Sequence, residues 1–325
     1  MLRRFALRVA VAPVVGARFA HDDFVNRHMG HNESELSAML QVLGVSTVDD
    51  LTTKIVPQNI VRPPMKPFAA LSEKDSLAHL RTLMGKNKTM KSLIGHGYYE
   101  PILPPVIQRN VLENPNWYTP YTPYQAEISQ GRLESLLNYQ TMITEITKMD
   151  ISNASLLDQA TAASEAMYLA FQAHKHKRNK FFVSDKCFPS VIAMVQTRAA
   201  PLGVDVVVGD VYAADLTDPK LCGVMVQTPD VTGAIHDFTD LFSKAKQSGV
   251  ISAVGGDLLA MCITKPVGEM GADVAFGSAQ RFGIPLGYGG PHAAFFAVRD
   301  EHKRIMPGRL IGVSKDASGQ IAIRM

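Results

Sequence analysis

Apolar side chains recur at three- and four-residue spacing in two early stretches of the chain, a pattern that predicts two amphipathic helices. The first helix is predicted after Asn32, whose side chain can cap it, and Gly44 ends it. The second is predicted over Ser72–Met84, with Ser72 as its cap. Prolines between the two indicate an irregular linker. The apolar stripe of the first helix comprises Leu36, Met39, Leu40 and Leu43.

The segment Gly95–Gln130 is dense in both proline and aromatic residues. Proline removes a backbone donor and fixes φ, so we expect neither a regular helix nor a central strand there. The segment is also too apolar for a solvated linker. Two interpretations stay open: a rigid loop packed on its own domain, or an ordered loop that lines a pocket or a subunit interface, where Tyr and Trp are favoured.

From Arg132 onward the pattern becomes regular. A helical face formed by Leu136, Tyr139, Ile143 and Ile146 is followed by a predicted helix over Asp158–Lys177. Short β-branched runs then alternate with helices, which indicates crossover units and a mostly parallel sheet. The predicted fold class is therefore α/β, with helices on both faces of the sheet and a helical arm before it. The predicted strands are Phe181–Val183, Val204–Val208, Val224–Gln227, Val250–Val254, Val274–Phe276 and Ala293–Val298, and the predicted helices between them are Pro189–Ala199 and Phe238–Gln247.

The composition is that of an ordinary globular protein, since 46% of the 325 residues are hydrophobic and 19% are charged. A net charge of +3 gives no reason to expect a nucleic-acid partner. No apolar run approaches the roughly 18 residues that a membrane helix needs, so no membrane partner is expected. The three cysteines form no CxxC pair, which argues against a zinc site or a disulfide framework and fits a reducing compartment.

The first twenty residues contain four arginines and no acid. An Arg-rich, acid-free, potentially amphipathic start is typical of a mitochondrial transit peptide, predicted here as residues 1–20. A secretory signal is the rival because Val9–Ala17 is apolar, although Pro13 and the flanking arginines weaken it. A basic N-terminus without a targeting role is the third possibility. Removal of the four arginines would change the net charge from +3 to −1 (3 − 4).

Two features suit a ligand at the carboxyl ends of the strands. Asp257 ends the run VISAVGGD, and a carboxylate there can pair with the ring nitrogen of a cofactor. It can equally be a helix cap or a buried structural acid. The helix start Asp158–Ser164 could hold a phosphate on its free amides. The glycine-rich run Gly283–His292 matches no phosphate-loop pattern, and His28 and His31 lack a nearby third ligand, so no metal site is expected.

Three long blocks together carry a specific resemblance. They are GHGYYEPILPPVIQRNVLENPNWYTPYTPYQAEISQGRLESLLNYQTM (Gly95–Met142), NASLLDQATAASEAM (Asn153–Met167) and GADVAFGSAQRFGIPLGYGGPHAAFF (Gly271–Phe296), and FVNRHMG (Phe24–Gly30) precedes them. In this order they closely resemble the N-terminal region of the glycine dehydrogenase (decarboxylating), or P-protein, family of the glycine cleavage system. The resemblance extends from about Phe24 to the last residue.

This resemblance implies the large-domain fold of type I pyridoxal-phosphate enzymes, in a longer protein built of two related halves. It also implies the reaction: glycine decarboxylation with pyridoxal phosphate and transfer of the aminomethyl group to the lipoyl arm of H-protein, in the mitochondrial matrix. The implied partners are glycine, lipoylated H-protein and the lysine-bearing second half, in a dimer of whole P-protein units. The cofactor is expected to be bound covalently by that second half.

In the family, the Schiff-base lysine lies in the second half, in a block matched here by Ala279–Phe282. Gln280 stands at the lysine position and cannot form an imine. Thr161 begins the match to the phosphate loop, which lacks the glycines of the second half, and Asp257 matches the acid that pairs with the cofactor ring. The resemblance thus implies a non-catalytic half with vestigial Asp257 and Thr161. It further implies that six residues line a shared active site: His96, Tyr98, Tyr99, Tyr118, Tyr121 and Gln125.

The expected organisation follows from these blocks. After the leader, residues 21–94 form the helical arm, residues 95–305 the α/β large domain, and residues 306–325 the start of a truncated C-terminal segment. The small C-terminal domain of type I enzymes is expected to be missing. An alternative from a different class is a fragment or assembly subunit that acts only as an interaction surface.

Overall fold

The computed structural model describes residues 29–63, 65–66, 69–289 and 292–325. It divides into two compact units, the first ending at Lys91 and the second spanning Ser92–Met325. The predicted leader, residues 1–20, lies outside the described residues. Within the described part, no helix is both long and apolar enough to cross a membrane.

The described residues of the first unit form three α-helices: α1 (Glu33–Val42), α2 (Val48–Ile55) and α3 (Glu73–Met84). Both predicted caps are confirmed. Asn32 Oδ1 accepts from the Glu35 amide at 2.9 Å, the Glu35 carboxylate accepts from the Asn32 amide at 2.8 Å, and Ser72 Oγ accepts from the Asp75 amide at 3.2 Å. The sequence analysis missed α2, an eight-residue helix with no buried side chain. Without burial, its apolar positions give only a short and weak pattern.

The second unit is built on a seven-stranded sheet. Its strands are β1 (Ile151–Ser152), β2 (Lys180–Ser184), β3 (Asp205–Gly209), β4 (Leu221–Thr228), β5 (Ile251–Gly256), β6 (Val274–Ser278) and β7 (Ala294–Val298). Their order across the sheet is β1-β7-β6-β5-β4-β2-β3. Strands β2 to β6 pair in parallel, whereas β7 is antiparallel to both β6 and β1, so the predicted mostly parallel sheet is confirmed. The two-residue strand β1 was not predicted because it is too short to show a pattern.

Helices cover both faces of this sheet, as predicted. On one face, α6 (Gln159–Ala173) packs through Ala162, Ala166 and Ala170, small residues that let a helix approach the strands closely, and α7 (Pro189–Ala199) packs beside it. On the other face, Ile143 and Phe242 belong to a second buried cluster contributed by α5 (Gln130–Thr147) and α8 (Thr239–Gln247). The described part of this unit also contains the short helices α4 (Pro105–Ile107) and α9 (Leu258–Met261), the second of which follows β5.

Gly223 in β4 allows the closest of these approaches. A Cβ atom at this position would lie 2.6 Å from the Phe181 ring and 2.9 Å from the Ala170 Cβ of α6. Real Cβ atoms do not come that close to other carbon atoms, because packed interiors leave no such space. The glycine therefore sets the distance between α6 and the centre of the sheet.

Two helices differ from their predictions. The buried side of α5 contains the polar residues Gln140 and Thr147 besides Leu133 and Ile143. The apolar pattern therefore predicted only part of the buried face of this helix. Helix α6 ends at Ala173 rather than Lys177, because Lys175 and His176 have positive φ values of 53° and 60°. The His176 ring packs against Phe171 at 4.6 Å, which accompanies this turn of the chain.

The proline-dense segment has no regular long helix, as expected. It contains only α4, a π-helical turn over Gln108–Leu112 and a single 3₁₀ turn over Ala126–Ile128. The end of the chain forms a hairpin of β8 (Gly312–Lys315) and β9 (Ile321–Arg324). Asp316 closes the hairpin by accepting from the amides of Ser318 and Gln320, both at 2.8 Å.

Candidate functional site

A small cavity lies where the carboxyl ends of β4, β5 and β6 meet. This is the edge at which parallel sheets bind their ligands. Gln227 reaches the cavity from β4, Asp257 directly follows β5, and Ser278 ends β6. The cavity has a volume of about 30 Å³. That is room for about one water molecule.

Gln280 lies at the wall of this cavity, in a short turn after β6. Its side chain is buried, with 3% of the residue exposed, and its Nε2 atom has no hydrogen-bond partner among the described residues. Gly283 ends the turn with a φ of 105°, a conformation that favours glycine. The sequence position that resembles the lysine site is therefore a buried amide that faces the cavity.

Asp257 is held by three hydrogen bonds. Its Oδ1 atom caps α9 by accepting from the amides of Leu259 and Ala260 at 2.8 and 3.1 Å. Its Oδ2 atom accepts from Arg281 Nε at 2.7 Å, and both side chains are largely buried. The helix-cap interpretation of Asp257 is thus correct, and an ion pair with Arg281 is added to it.

Arg281 is the residue of this site that the sequence analysis missed. Its guanidinium lies over the ring of Tyr99, with 4.2 Å between Cζ and the ring centroid. It therefore connects Tyr99, in the proline-dense segment, to Asp257 at the end of β5. The sequence did offer a signal: Arg281 is a cation next to Gln280, and Asp257 was already a candidate carboxylate that a cation could pair with.

The N-terminus of α6 is also closed by a side chain. Asp158 Oδ1 accepts from the Thr161 amide at 2.6 Å, so Thr161 donates to a carboxylate of its own chain. This is the amide at the start of the block that resembles a phosphate loop. An aspartate cap satisfies a free amide and adds negative charge at the helix terminus.

Three of the six predicted pocket residues lie near the cavity. Tyr99 lines it, and His96 and Tyr98 line an adjoining pocket of about 100 Å³ with His292. The Tyr98 ring meets the His292 ring edge-on at 5.1 Å. The backbone at Gly97 lies against Phe188, so that a Cβ there would be 3.0 Å from the Phe188 ring.

The other three predicted residues, Tyr118, Tyr121 and Gln125, do not line that cavity. Tyr121 donates its hydroxyl hydrogen to Gln125 Oε1 and lines an open cleft of about 1010 Å³. Arg132 anchors this part of the segment by donating to the Trp117 carbonyl at 2.7 Å and to Thr119 Oγ1 at 3.2 Å. The six residues therefore fall into two groups that the sequence did not separate.

The residues around the cavity do not fit pyridoxal phosphate. No lysine is among the described residues that line it, and the carboxylate suited to a ring nitrogen is paired with Arg281. The volume of about 30 Å³ is far below the roughly 300–1,000 Å³ typical of small-molecule and cofactor pockets.

A neighbouring pocket of about 270 Å³ at the ends of β2, β3 and β4 is lined by an Asp–His pair, of which Asp230 is buried and His236 is half-buried. His236 Nε2 lies 2.9 Å from Asp230 Oδ2. Burial alone would raise the pKa of the Asp230 carboxyl. Hydrogen bonds from the Thr232 hydroxyl, His236 and the amides of Thr232 and Ala234 outweigh that effect, so the pKa lies well below its usual value.

A second group of titratable side chains brings Asp273, Glu301 and His302 close enough for their ligand atoms to lie within 4.8 Å of one another. Asp273 Oδ2 already accepts from the amide and the hydroxyl of Ser252, both at 2.8 Å. These bonds account for the buried carboxylate as a link between β5 and the start of β6. No sequence pattern indicated this group, because its three residues come from two separate segments of the chain.

Comparison with known proteins places these features in a family. The model of the family described as glycine cleavage system P-protein matches residues 26–325. Glycine dehydrogenase (decarboxylating) of Agrobacterium fabrum is 53% identical over 305 residues, which cover 93% of this chain and 32% of that protein. The mitochondrial glycine dehydrogenase (decarboxylating) of Mus musculus is 50% identical over 307 residues, covering 94% of this chain and 30% of that protein. The chain thus spans about a third of the length of these curated relatives.

Solved structures agree with the sequence matches. The crystal structure of an inhibitor-bound glycine decarboxylase (P-protein) of the glycine cleavage system aligns with a TM-score of 0.81 and 32% identity, over 91% of this chain and 68% of that chain. A sphingosine-1-phosphate lyase of Burkholderia pseudomallei, at 14% identity and a TM-score of 0.56 over 81% of this chain and 66% of that chain, shares the fold alone. The resemblance noted from the sequence is confirmed, and the chain belongs to the P-protein family of the glycine cleavage system.

Proposed function

We propose that this chain is a non-catalytic N-terminal part of glycine dehydrogenase (decarboxylating), within the first of its two related halves. The whole enzyme would release carbon dioxide from glycine and pass the remaining aminomethyl group to the lipoyl arm of H-protein, an oxidoreductase reaction with a disulfide as acceptor. Pyridoxal phosphate would serve as the electron sink and would be bound covalently by the lysine-bearing second half. The expected assembly is a dimer of such paired halves.

Gln280 is the observation that carries this proposal. An imine needs an unprotonated primary amine, and the nitrogen lone pair of the Gln280 amide is delocalised. Gln280 is buried at 3% exposure, and no lysine is among the described residues that line the cavity beside it. An exposed lysine elsewhere has a pKa near ~10.4 and is mostly protonated at neutral pH. The chemistry of the family therefore needs an amine from outside this chain.

The contribution of this half is proposed to be structural and to line the shared active site. His96, Tyr98 and Tyr99 form one candidate lining. The second candidate group is Tyr118, Tyr121 and Gln125, of which Tyr121 lines the open cleft and bonds to Gln125. Many of these aromatic side chains are exposed: 61% for Tyr118, 44% for Tyr121 and 43% for Tyr98. Exposed tyrosines concentrated in one segment suit contact with a second protein surface.

A reconstitution experiment tests the proposal. The chain, the separately produced second half and their mixture are each assayed for carbon dioxide release from glycine in the presence of pyridoxal phosphate and lipoylated H-protein. Borohydride reduction followed by peptide mapping locates any cofactor-modified lysine. We expect the chain alone to release no carbon dioxide and to show only scattered substoichiometric labelling, and the mixture to be more active than the second half alone.

Two results would count against the proposal in different ways. A single stoichiometric adduct on this chain, together with carbon dioxide release, would make it a catalytic half. Binding to the second half without any gain in activity would favour the alternative function, an assembly surface with no share in the active site.

The proposed location is the mitochondrial matrix, supported by the acid-free, Arg-rich residues 1–20 and by the mitochondrial location in the name of the mouse relative. N-terminal sequencing of the protein isolated from mitochondria tests it. We expect the mature chain to begin after about residue 20, and a mature chain that still begins at Met1 would contradict the transit peptide.

A further inference from the structure

The cavity beside Gln280 is filled by groups of the chain itself. Arg281 Nε donates to Asp257 Oδ2 at 2.7 Å, and the Arg281 guanidinium stacks on Tyr99 at 4.2 Å. A planar cation thus lies between a carboxylate and an aromatic face. A protonated pyridine ring is also planar and cationic, and at the same carboxylate it would need the same place between the acid and the aromatic face.

The N-terminus of α6, which could hold a phosphate, is also occupied by a side chain of the chain itself. The Thr161 amide at the start of α6 donates to Asp158 Oδ1 at 2.6 Å. A helix N-terminus attracts anions through its free amides and its dipole, but here a carboxylate of the chain already uses that amide. A phosphate would have to displace this carboxylate or lie beside it, where like charges repel.

The remaining space is small. About 30 Å³ is left, and Gln280 Nε2 borders it without a hydrogen-bond partner in the described part of the chain. One water molecule would fill that volume and accept from the amide. With Asp158, Asp257 and Arg281 all charged, the three side chains contribute a net charge of −1 (+1 − 2), which disfavours a phosphate-bearing ligand.

We propose that the Arg281 side chain occupies the position that the cofactor ring would take. It thereby closes this half to pyridoxal phosphate and holds the Gly95–Tyr99 loop against the end of β5. Tyr99 stacks on the guanidinium, and two residues earlier the loop packs on Phe188. Arg281 is therefore a positioning residue for the loop that also carries His96 and Tyr98. This goes beyond the proposed function, because it concerns what occupies the vestigial site.

Chemical rescue tests the replacement directly. Arg281→Ala leaves a guanidinium-shaped gap between Asp257 and Tyr99. Guanidinium chloride, added at low millimolar concentrations against a sodium chloride control of equal ionic strength, should raise the unfolding midpoint of this variant in a saturable manner. A ligand at ten times its Kd raises the midpoint of a domain of this size by about 3–5 °C.

Arg309→Ala is the matched control. Arg309 also stacks on a tyrosine, Tyr124, at 4.7 Å, but it is exposed and is not paired with a carboxylate at that site. Guanidinium should change the midpoints of this variant and of the wild-type chain no more than sodium chloride does. Equal responses of Arg281→Ala and Arg309→Ala would overturn the proposal.

A second measurement does not depend on how the variants fold. The wild-type chain is titrated calorimetrically with 4′-deoxypyridoxine 5′-phosphate, an analogue without the aldehyde that cannot label surface lysines. We expect no saturable binding at millimolar analogue, and one-to-one binding would refute the closed site. Neither measurement uses glycine decarboxylation, so both results are independent of whether the proposed function holds.

Discussion

The side-chain amide of Gln140 pairs with the backbone of Ile311 as a neighbouring strand would. Gln140 Nε2 donates to the Ile311 carbonyl oxygen at 3.0 Å, and the Ile311 amide donates to Gln140 Oε1 at 2.9 Å. Both residues are buried, with exposures of 6% and 2%. Gln130, three turns earlier on α5, forms the same pair of bonds with Ile323 at 2.8 and 2.9 Å. Two glutamines thus attach the last part of the chain to α5.

Gln140→Leu should therefore destabilise the chain despite its similar size. The substitution leaves the amide and the carbonyl of Ile311 buried without partners, and each orphaned group costs about 1–3 kcal/mol. We expect urea unfolding to show a loss of at least about 2 kcal/mol. Gln196→Leu, on an exposed position of α7, serves as the control, and a surface change of this kind usually lies within about 0.5 kcal/mol. Similar losses in both variants would contradict the role of the paired amide.

Gly223→Ala should destabilise the second unit by overpacking. The new methyl group would lie 2.6 Å from the Phe181 ring and 3.0 Å from the Ile251 carbonyl oxygen, so α6 or the strands must shift. Overpacking of this kind costs about 1–3 kcal/mol. Gly131→Ala in α5 has open space around the new methyl group and should stabilise by about 0.5–1 kcal/mol. Thermal unfolding of the two variants should show midpoint shifts of opposite sign, and a neutral Gly223→Ala would disprove the close packing.

The three cysteines should react at very different rates with a thiol reagent at pH 8. Burial raises the pKa of the Cys187 and Cys222 thiols to about 12, whereas Cys262 is exposed. Because the thiolate is the reactive form, the buried pair should be nearly inert in the folded chain. We expect one fast thiol in the native protein and three after unfolding in urea. Cys262→Ser should abolish the fast phase, and a fast phase that survives this substitution would show that a buried thiol is accessible.

The Asp230–His236 pair should make stability depend on pH in the acid range. The pKa of the Asp230 carboxyl is lower in the folded than in the unfolded chain. Its contribution is therefore fully present above the unfolded value of about 3.9 and is lost as the pH falls through the lower folded value. Asp230→Asn should reduce stability at pH 7 by about 1–3 kcal/mol and flatten the decline below pH about 4.

Urea unfolding at pH 7 and at several acid pH values measures this effect. Asp205→Asn, an exposed position at the start of β3, provides the control, which should retain the wild-type decline. If the free energy of unfolding of Asp230→Asn fell with decreasing pH in parallel with that of the wild type, the Asp230 carboxyl would not be the source of the acid dependence.

Tyr121→Ala should weaken binding to the second half if the open cleft is an interface. Loss of an anchor tyrosine typically costs about 2 kcal/mol or more, which is about a 30-fold loss of affinity. Tyr212→Ala removes a tyrosine that is 66% exposed outside the proline-dense segment and should leave the affinity unchanged. Calorimetric titration of each variant with the second half measures both. Unaltered affinity in Tyr121→Ala would limit this tyrosine to packing within its own segment, where it contacts Gln125.

Local physical chemistry explains why much of the fold could be predicted from the sequence. Asn32 and Ser72 bond to amides only three residues away, so their caps depend on neighbouring residues alone. Strand β4, whose eight residues are all buried, shows its core position as a nearly unbroken apolar run. Short elements such as β1 and α2 have no comparable apolar pattern, so the sequence did not predict them. The buried position of the polar residue Gln140 was not predicted, because its partner Ile311 lies 171 positions away along the chain.

The sequence by itself determined the alternation of strands and helices and the family, because both depend on residue types in a fixed order. Only the tertiary structure decided what fills the site. Arg281 bonds to an acid 24 positions away and stacks on Tyr99 from a separate segment. The sheet brings these groups together by aligning the ends of β5 and β6, and a carboxylate forms its ion pair with whichever cation the fold places within hydrogen-bond distance, not with the nearest one in sequence.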